Sequence, residues 1–145
     1  MLSSVQMSEQ SVFLITGASK GLGRSICEIL ANKGYIVVGL ARQSSELAEL
    51  DTFLKKYNEK SCAIACDLSV PEMVNNTAGE IVKRFPAIHG IIHNAGIIGP
   101  VGNIFTVDEA KWNETLVVNL VSVQQLTRVL YPAMVNAGRC RVCLL

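Results

Sequence analysis

Neither sign of charge dominates this chain: 13 Lys and Arg stand against 12 Asp and Glu, a formal net charge of +1 over 145 residues. With no basic cluster either, nothing offers a surface for nucleic acid, and none is expected as a partner. Apolar runs fall short of the ~18 residues that a membrane helix needs, so no membrane is expected either. Met1 to Ser11 lack the basic start and apolar stretch of an export signal and read as a flexible leader. The five cysteines are then better read as reduced thiols than as a disulfide framework, and a cytoplasmic location is expected. Internal repeats and low-complexity tracts are missing too. What remains, with half of the residues hydrophobic, is one domain over 12–145.

Along that domain, strand-like and helix-like patterns alternate. Val12 to Thr16 is a β-branched run, followed by the glycine-rich stretch Gly17 to Gly23 and then by Leu22, Ile26, Ile29 and Leu30 at helical spacing, with Gly34 as a C-cap. Tyr35 to Ala41 is an unbroken apolar run, the pattern of a strand buried on both faces. Ser44 or Ser45 then caps a helix carrying Leu47, Leu50 and Leu54 on one face. A third strand, Ser61 to Cys66, ends at Asp67, and Pro71 opens a helix through Phe85 with Met73, Thr77, Ile81 and Val82 turned inward. Gly90 to His93 is a fourth strand. A short helical piece around Asp108 to Trp112 precedes a helix of about five turns, whose face is Leu116, Leu120, Val123, Thr127, Leu130 and Met134. Arg139 to Leu145 reads as a fifth strand, beginning either at Arg139 or only at Arg141.

Such alternation specifies an α/β fold, a doubly wound parallel sheet with right-handed crossovers, here ending after about five strands. In this arrangement Cys62 and Cys66 lie roughly 19 Å from Cys140 and Cys143, at about 4.8 Å per strand step. One zinc ion cannot span that distance, and no metal site is expected. Ligands of open α/β sheets bind beyond the carboxyl ends of the strands. The glycine turn, Ala41-Arg42, Asp67 and Asn94-Ala95-Gly96 all fall at such ends. A glycine turn that opens a helix also aims N–H groups and the positive helix end at one point, which suits a phosphate.

The glycine pattern, Thr16-Gly17-x-x-x-Gly21-x-Gly23, is neither Gly-x-Gly-x-x-Gly nor a P-loop. Together with Asp67 after the third strand, Asn94-Ala95-Gly96 after the fourth and Val118-Asn119 in the long helix, it resembles the short-chain dehydrogenase/reductase family from Val12 to Leu145. The resemblance implies a Rossmann fold and hydride transfer between a nicotinamide cofactor and a small carbonyl or alcohol substrate. It further implies that Gly17, Ser19, Lys20, Gly21, Leu22 and Gly23 wrap the pyrophosphate and adenosine ribose. Asp67, beside Leu68, would bind the adenine amino group, and Asn94, Ala95 and Gly96 would line the adenosine side and brace the sheet. Asn119 matches the active-site asparagine, whose backbone carbonyl holds a water of the proton relay. Full-length relatives would form homo-oligomers through the long helix around Leu116 to Met134.

Charge then selects the cofactor. An acid at the end of the second strand would bind the ribose 2′-OH of NAD and repel a 2′-phosphate, but Ala41 stands there. Arg42 follows it, and Lys20 lies in the glycine turn, so NADP(H) is expected over NAD(H). The family's catalytic Ser and Tyr-x-x-x-Lys are absent from these residues: Tyr35, Tyr57 and Tyr131 are followed four positions later by Gly39, Ser61 and Val135. The alternative to an oxidoreductase is therefore an inactive nucleotide-binding fragment or regulatory half-domain. Nothing about His89 or His93 points to catalysis, and Trp112 is expected to pack in the core or a loop.

Overall fold

A computed structural model describes residues 10–145. Five strands form one parallel sheet in the order β3-β2-β1-β4-β5: β1 (Val12–Thr16), β2 (Ile36–Ala41), β3 (Cys62–Ala65), β4 (Gly90–His93) and β5 (Arg141–Leu144). The doubly wound sheet anticipated from sequence is present, with the order reversing beside β1. Of the anticipated leader, only Gln10 and Ser11 are among the described residues, and the Ser11 carbonyl accepts from the Ile36 N–H at 3.1 Å.

Helices α1 (Gly21–Asn32) and α2 (Ser45–Tyr57) cover one face of the sheet, where Cys27, Ala31, Leu50 and Leu54 meet Ile15 and Val37. On the other face, α3 (Pro71–Arg84) and α5 (Ser122–Asn136) pack Val74, Ala78, Ile81, Leu126, Leu130 and Ala133 over Leu14, Val38 and Ile91. Two layers of helix thus leave β1 and β2 buried on both sides, as their continuous apolar runs require.

Local signals set the helix starts. Ser44 caps α2 by accepting from the Leu47 N–H at 3.2 Å, and Pro71 occupies the first turn of α3, where a missing N–H costs nothing. Asp108 accepts from the Lys111 N–H at 3.0 Å at the start of α4 (Glu109–Leu116).

Three expectations about faces and boundaries are corrected. In α1 the buried residues are Gly23, Cys27 and Ala31, whereas Leu22 and Ile29 are exposed. In α3 they are Val74, Ala78 and Ile81, and Met73 is exposed. The Asp108–Trp112 piece is no separate helix: α4 runs through a π-helical turn, Val117–Val121, directly into α5. The wider turn shifts the inward face to Val118, Ser122, Gln125 and Leu126, leaving Leu116 and Leu120 outside. Trp112, expected to pack in the core or a loop, lies outside the core, beside the loop residues Ile98, Pro100 and Val101. The fifth strand begins at Arg141, the later of the two starts considered, and all four of its residues are exposed.

Candidate functional site

The carboxyl end of β1 is tied to that of β4 by one threonine and one asparagine. The Thr16 hydroxyl accepts from the backbone N–H of Asn94 (3.1 Å) and of Ala95 (3.0 Å). In return the Asn94 side-chain amide donates to the carbonyls of Thr16 (3.1 Å) and Gly17 (3.2 Å). The turn consequently lies hard against this corner. Gly17 has φ +65°, and a Cβ there would stand 2.9 Å from the Ala95 Cα. A Cβ on Gly23 would come within 2.2 Å of the Gly17 carbonyl oxygen, so only glycine lets α1 start this close beneath the turn.

Above this corner opens a cleft of about 560 Å³ along the carboxyl rim of the sheet. Of the residues singled out from sequence, Gly17, Ser19, Lys20, Arg42, Asp67, Leu68, Asn94, Ala95 and Gly96 line it together. Gly21, Leu22 and Gly23 instead form the first turn of α1 behind the lining, with Leu22 facing solvent. Asn119 lies beyond the cleft, in the π-helical turn. Its carboxamide brackets Ile97, accepting from the Ile97 N–H and donating to the Ile97 carbonyl, both at 2.9 Å. This holds the segment after Gly96 against the long helix.

Acidic and basic side chains share the lining of the cleft. Asp67 Oδ1 accepts from the Ser69 hydroxyl (2.7 Å) and backbone N–H (2.9 Å). The Ser69 hydroxyl first, then its N–H and the Arg42 charge, hold the carboxyl below its usual range against a smaller opposing effect of burial. Asp67 is thus a carboxylate at neutral pH, and its Oδ2 makes no hydrogen bond among the described residues. Burial pushes the neighbouring Cys66 thiol up, which keeps it protonated and a poor nucleophile. Lys20, Arg42, Ser44 and Glu46 line the same cleft; Ser44 and Glu46 were not anticipated from sequence as part of the site.

The start of α1 differs from the other helix starts. Lys20 precedes it with no side-chain cap, and its first turn holds no acid. By contrast α2 has Ser44 and Glu46, α3 has Glu72, and α4 has Asp108 and Glu109. The uncapped N–H groups and positive end of α1 therefore have no internal counter-group next to Lys20, which lines the cleft.

Both histidines have partners, and both are structural. His89 Nδ1 accepts from the Val12 N–H at 3.1 Å, and His93 Nε2 lies 2.9 Å from the Thr127 hydroxyl. Burial holds His93 below its ordinary pKa, so it is neutral in the folded chain at neutral pH. Among the described residues no His, Cys, Asp and Glu gather in a group able to hold a metal. No helix there is long and apolar enough to cross a membrane.

Comparison with known proteins agrees with this geometry. The sequence profile of the family described as short chain dehydrogenase matches residues 11–144. The short chain dehydrogenase pigC of Monascus ruber is 31% identical over 137 residues, covering 90% of this chain and 45% of that protein. The 3-oxoacyl-[acyl-carrier-protein] reductase FabG of Vibrio cholerae is 27% identical over 134 residues, covering 92% and 53%. Among solved structures, a metagenomic short-chain oxidoreductase in complex with NADP superposes with a TM-score of 0.85 at 29% identity, covering 94% of this chain and 63% of that one. The chain spans about half the length of the curated relatives that it matches.

Proposed function

The chain belongs to the short chain dehydrogenase family, and on that premise we propose that its cleft seats NADP(H) for an oxidoreductase acting on a small carbonyl or alcohol. The observation that carries this reading is the uncapped, acid-free start of α1, held under the glycine turn and opening on the cleft. Anions are stabilised at such a helix end, and a pyrophosphate fits that donor set. A bound nicotinamide would supply the hydride-transfer chemistry; the residues present here bind and orient.

On this reading the backbone of Gly17, Ser19, Lys20, Gly21, Leu22 and Gly23 surrounds the pyrophosphate. Asp67 offers Oδ2 to the adenine amino group beside Leu68, and Asn94, Ala95 and Gly96 line the adenosine. Asn119, tied to Ile97, stands where the family keeps the asparagine whose carbonyl holds a water. Ala41 in place of an acid, with Lys20 and Arg42 nearby, favours the 2′-phosphate of NADP(H) over the 2′-hydroxyl of NAD(H). The NADP held by the metagenomic relative supports the same choice. Exposed Leu120, Tyr131 and Val135 support self-association through the long helix, as expected of full-length relatives.

The test is nucleotide affinity in wild type and in Arg42→Ala. NADPH is expected to bind more tightly than NADH, and Arg42→Ala to weaken NADPH at least severalfold while sparing NADH. Unchanged discrimination would sink the NADP(H) assignment. A second reading, nucleotide binding without turnover, is favoured by the absence of Tyr-x-x-x-Lys among these residues. NADPH consumption by this chain with carbonyl substrates would rule it out.

A further inference from the structure

The cations of the cleft share it with an acid besides Asp67. Glu46, the second residue of α2, lines the cleft with Lys20, Arg42 and Ser44. Its carboxylate accepts from the Ser45 hydroxyl at 3.3 Å. A hydrogen bond from its own backbone N–H, then the Ser44 and Ser45 hydroxyls, hold it below the usual carboxylate range, with the Lys20 charge adding to the effect. Arg24 reaches the Glu46 backbone carbonyl at 3.3 Å, but its guanidinium is engaged by Glu28 at 2.6 Å. Lys20 lines the same cleft, and its charge is the smallest of the influences on the Glu46 carboxyl. At the start of α2, Ser44 takes the Leu47 N–H and Glu46 lies in the first turn, where a negative charge is favoured.

We propose that Glu46 is a specificity-determining residue of the cofactor seat, its carboxylate competing with a 2′-phosphate for Lys20 and for the start of α2. The inference rests on the NADP(H) reading above. A 2′-phosphate carries close to two negative charges, whereas the 2′-hydroxyl of NAD(H) carries none. Glu46 therefore opposes NADP(H) and does not oppose NAD(H). Lys20 and Arg42 set the preference; Glu46 limits it.

The full chain is titrated with NADPH and with NADH at low and high salt, as wild type, Glu46→Gln, Glu46→Ser, Arg42→Ala and Glu49→Gln. Glu49 lies on the exposed side of α2, outside the cleft. Glu46→Gln is expected to tighten NADPH about three- to tenfold at low salt, with the gain shrinking at high salt and NADH unchanged. Glu46→Ser, which keeps a hydrogen-bonding group at the helix start, is expected to behave alike. Glu49→Gln should move either affinity by less than about twofold at that range from the cleft. NADPH affinity unchanged in both Glu46 variants, or NADPH and NADH tightened equally, overturns the role of Glu46 alone provided that Arg42→Ala still weakens NADPH. A wild type that binds NADPH no better than NADH, or an Arg42→Ala without effect, overturns the NADP(H) reading and this inference with it.

Discussion

Thr16 does more for the cleft than any residue of the glycine turn itself. Its hydroxyl, 1% exposed, uses both lone pairs on the N–H groups of Asn94 and Ala95. Valine would keep the shape and remove both acceptors, leaving two inward N–H groups unpaired at about 1–3 kcal/mol each. Thr16→Val is accordingly expected to cost about 2–6 kcal/mol in urea denaturation, and Thr16→Ser much less. A Thr16→Val variant as stable as wild type would show that the hydroxyl is not what holds the corner. In the sequence Thr16 reads as the last residue of a strand and the first of the glycine motif, with no role for its hydroxyl. Its partners lie 78 and 79 positions away, and no local pattern reports a contact of that span. A family motif marks Thr16, Gly17 and Asn94, but the tie between Thr16 and Asn94, like the place of Glu46 in the cleft, comes only through the fold.

At the scale of elements, the existence and order of every strand and of α1 to α3 were legible, since alternation and caps are local signals. Which face each helix buries was not. Periodicity picks out large apolar residues, but α1 starts so close beneath the turn after β1 that a Cβ on Gly23 would stand 2.2 Å from the Gly17 carbonyl oxygen. Only a narrow face of Gly23, Cys27 and Ala31 fits such a gap, and it turns Ile29 outward, 57% exposed. Ile29→Ser is therefore expected to cost under about 1 kcal/mol, whereas Cys27→Leu should overpack the interface by about 1–3 kcal/mol. The reverse order, read from thermal or urea unfolding of the two variants, would restore the face expected from sequence. The long helix was misread for another reason. The π-helical turn at Val117–Val121 breaks the 3.6-residue count, so positions on either side of it that share a stripe on paper do not share one in space.

For the molecule as a whole, topology was the most legible property, because right-handed crossovers and the buried-strand pattern leave few arrangements of five strands and their helices. The same logic brought residues from four separate strand ends to one rim, and nine of them line one cleft. That Asp67, Lys20, Arg42 and Glu46 share one lining emerges only with the tertiary structure. The central claim is that this rim seats a dinucleotide. Amide hydrogen exchange with and without NADPH tests it most directly, because every segment of the rim reports separately. Protection is expected at the glycine turn and start of α1, at Arg42 to Glu46, at Asp67 to Ser69 and at Asn94 to Ile97, with α3 and the outer face of α5 unchanged. Protection confined to other segments, or none at saturating NADPH, would contradict it.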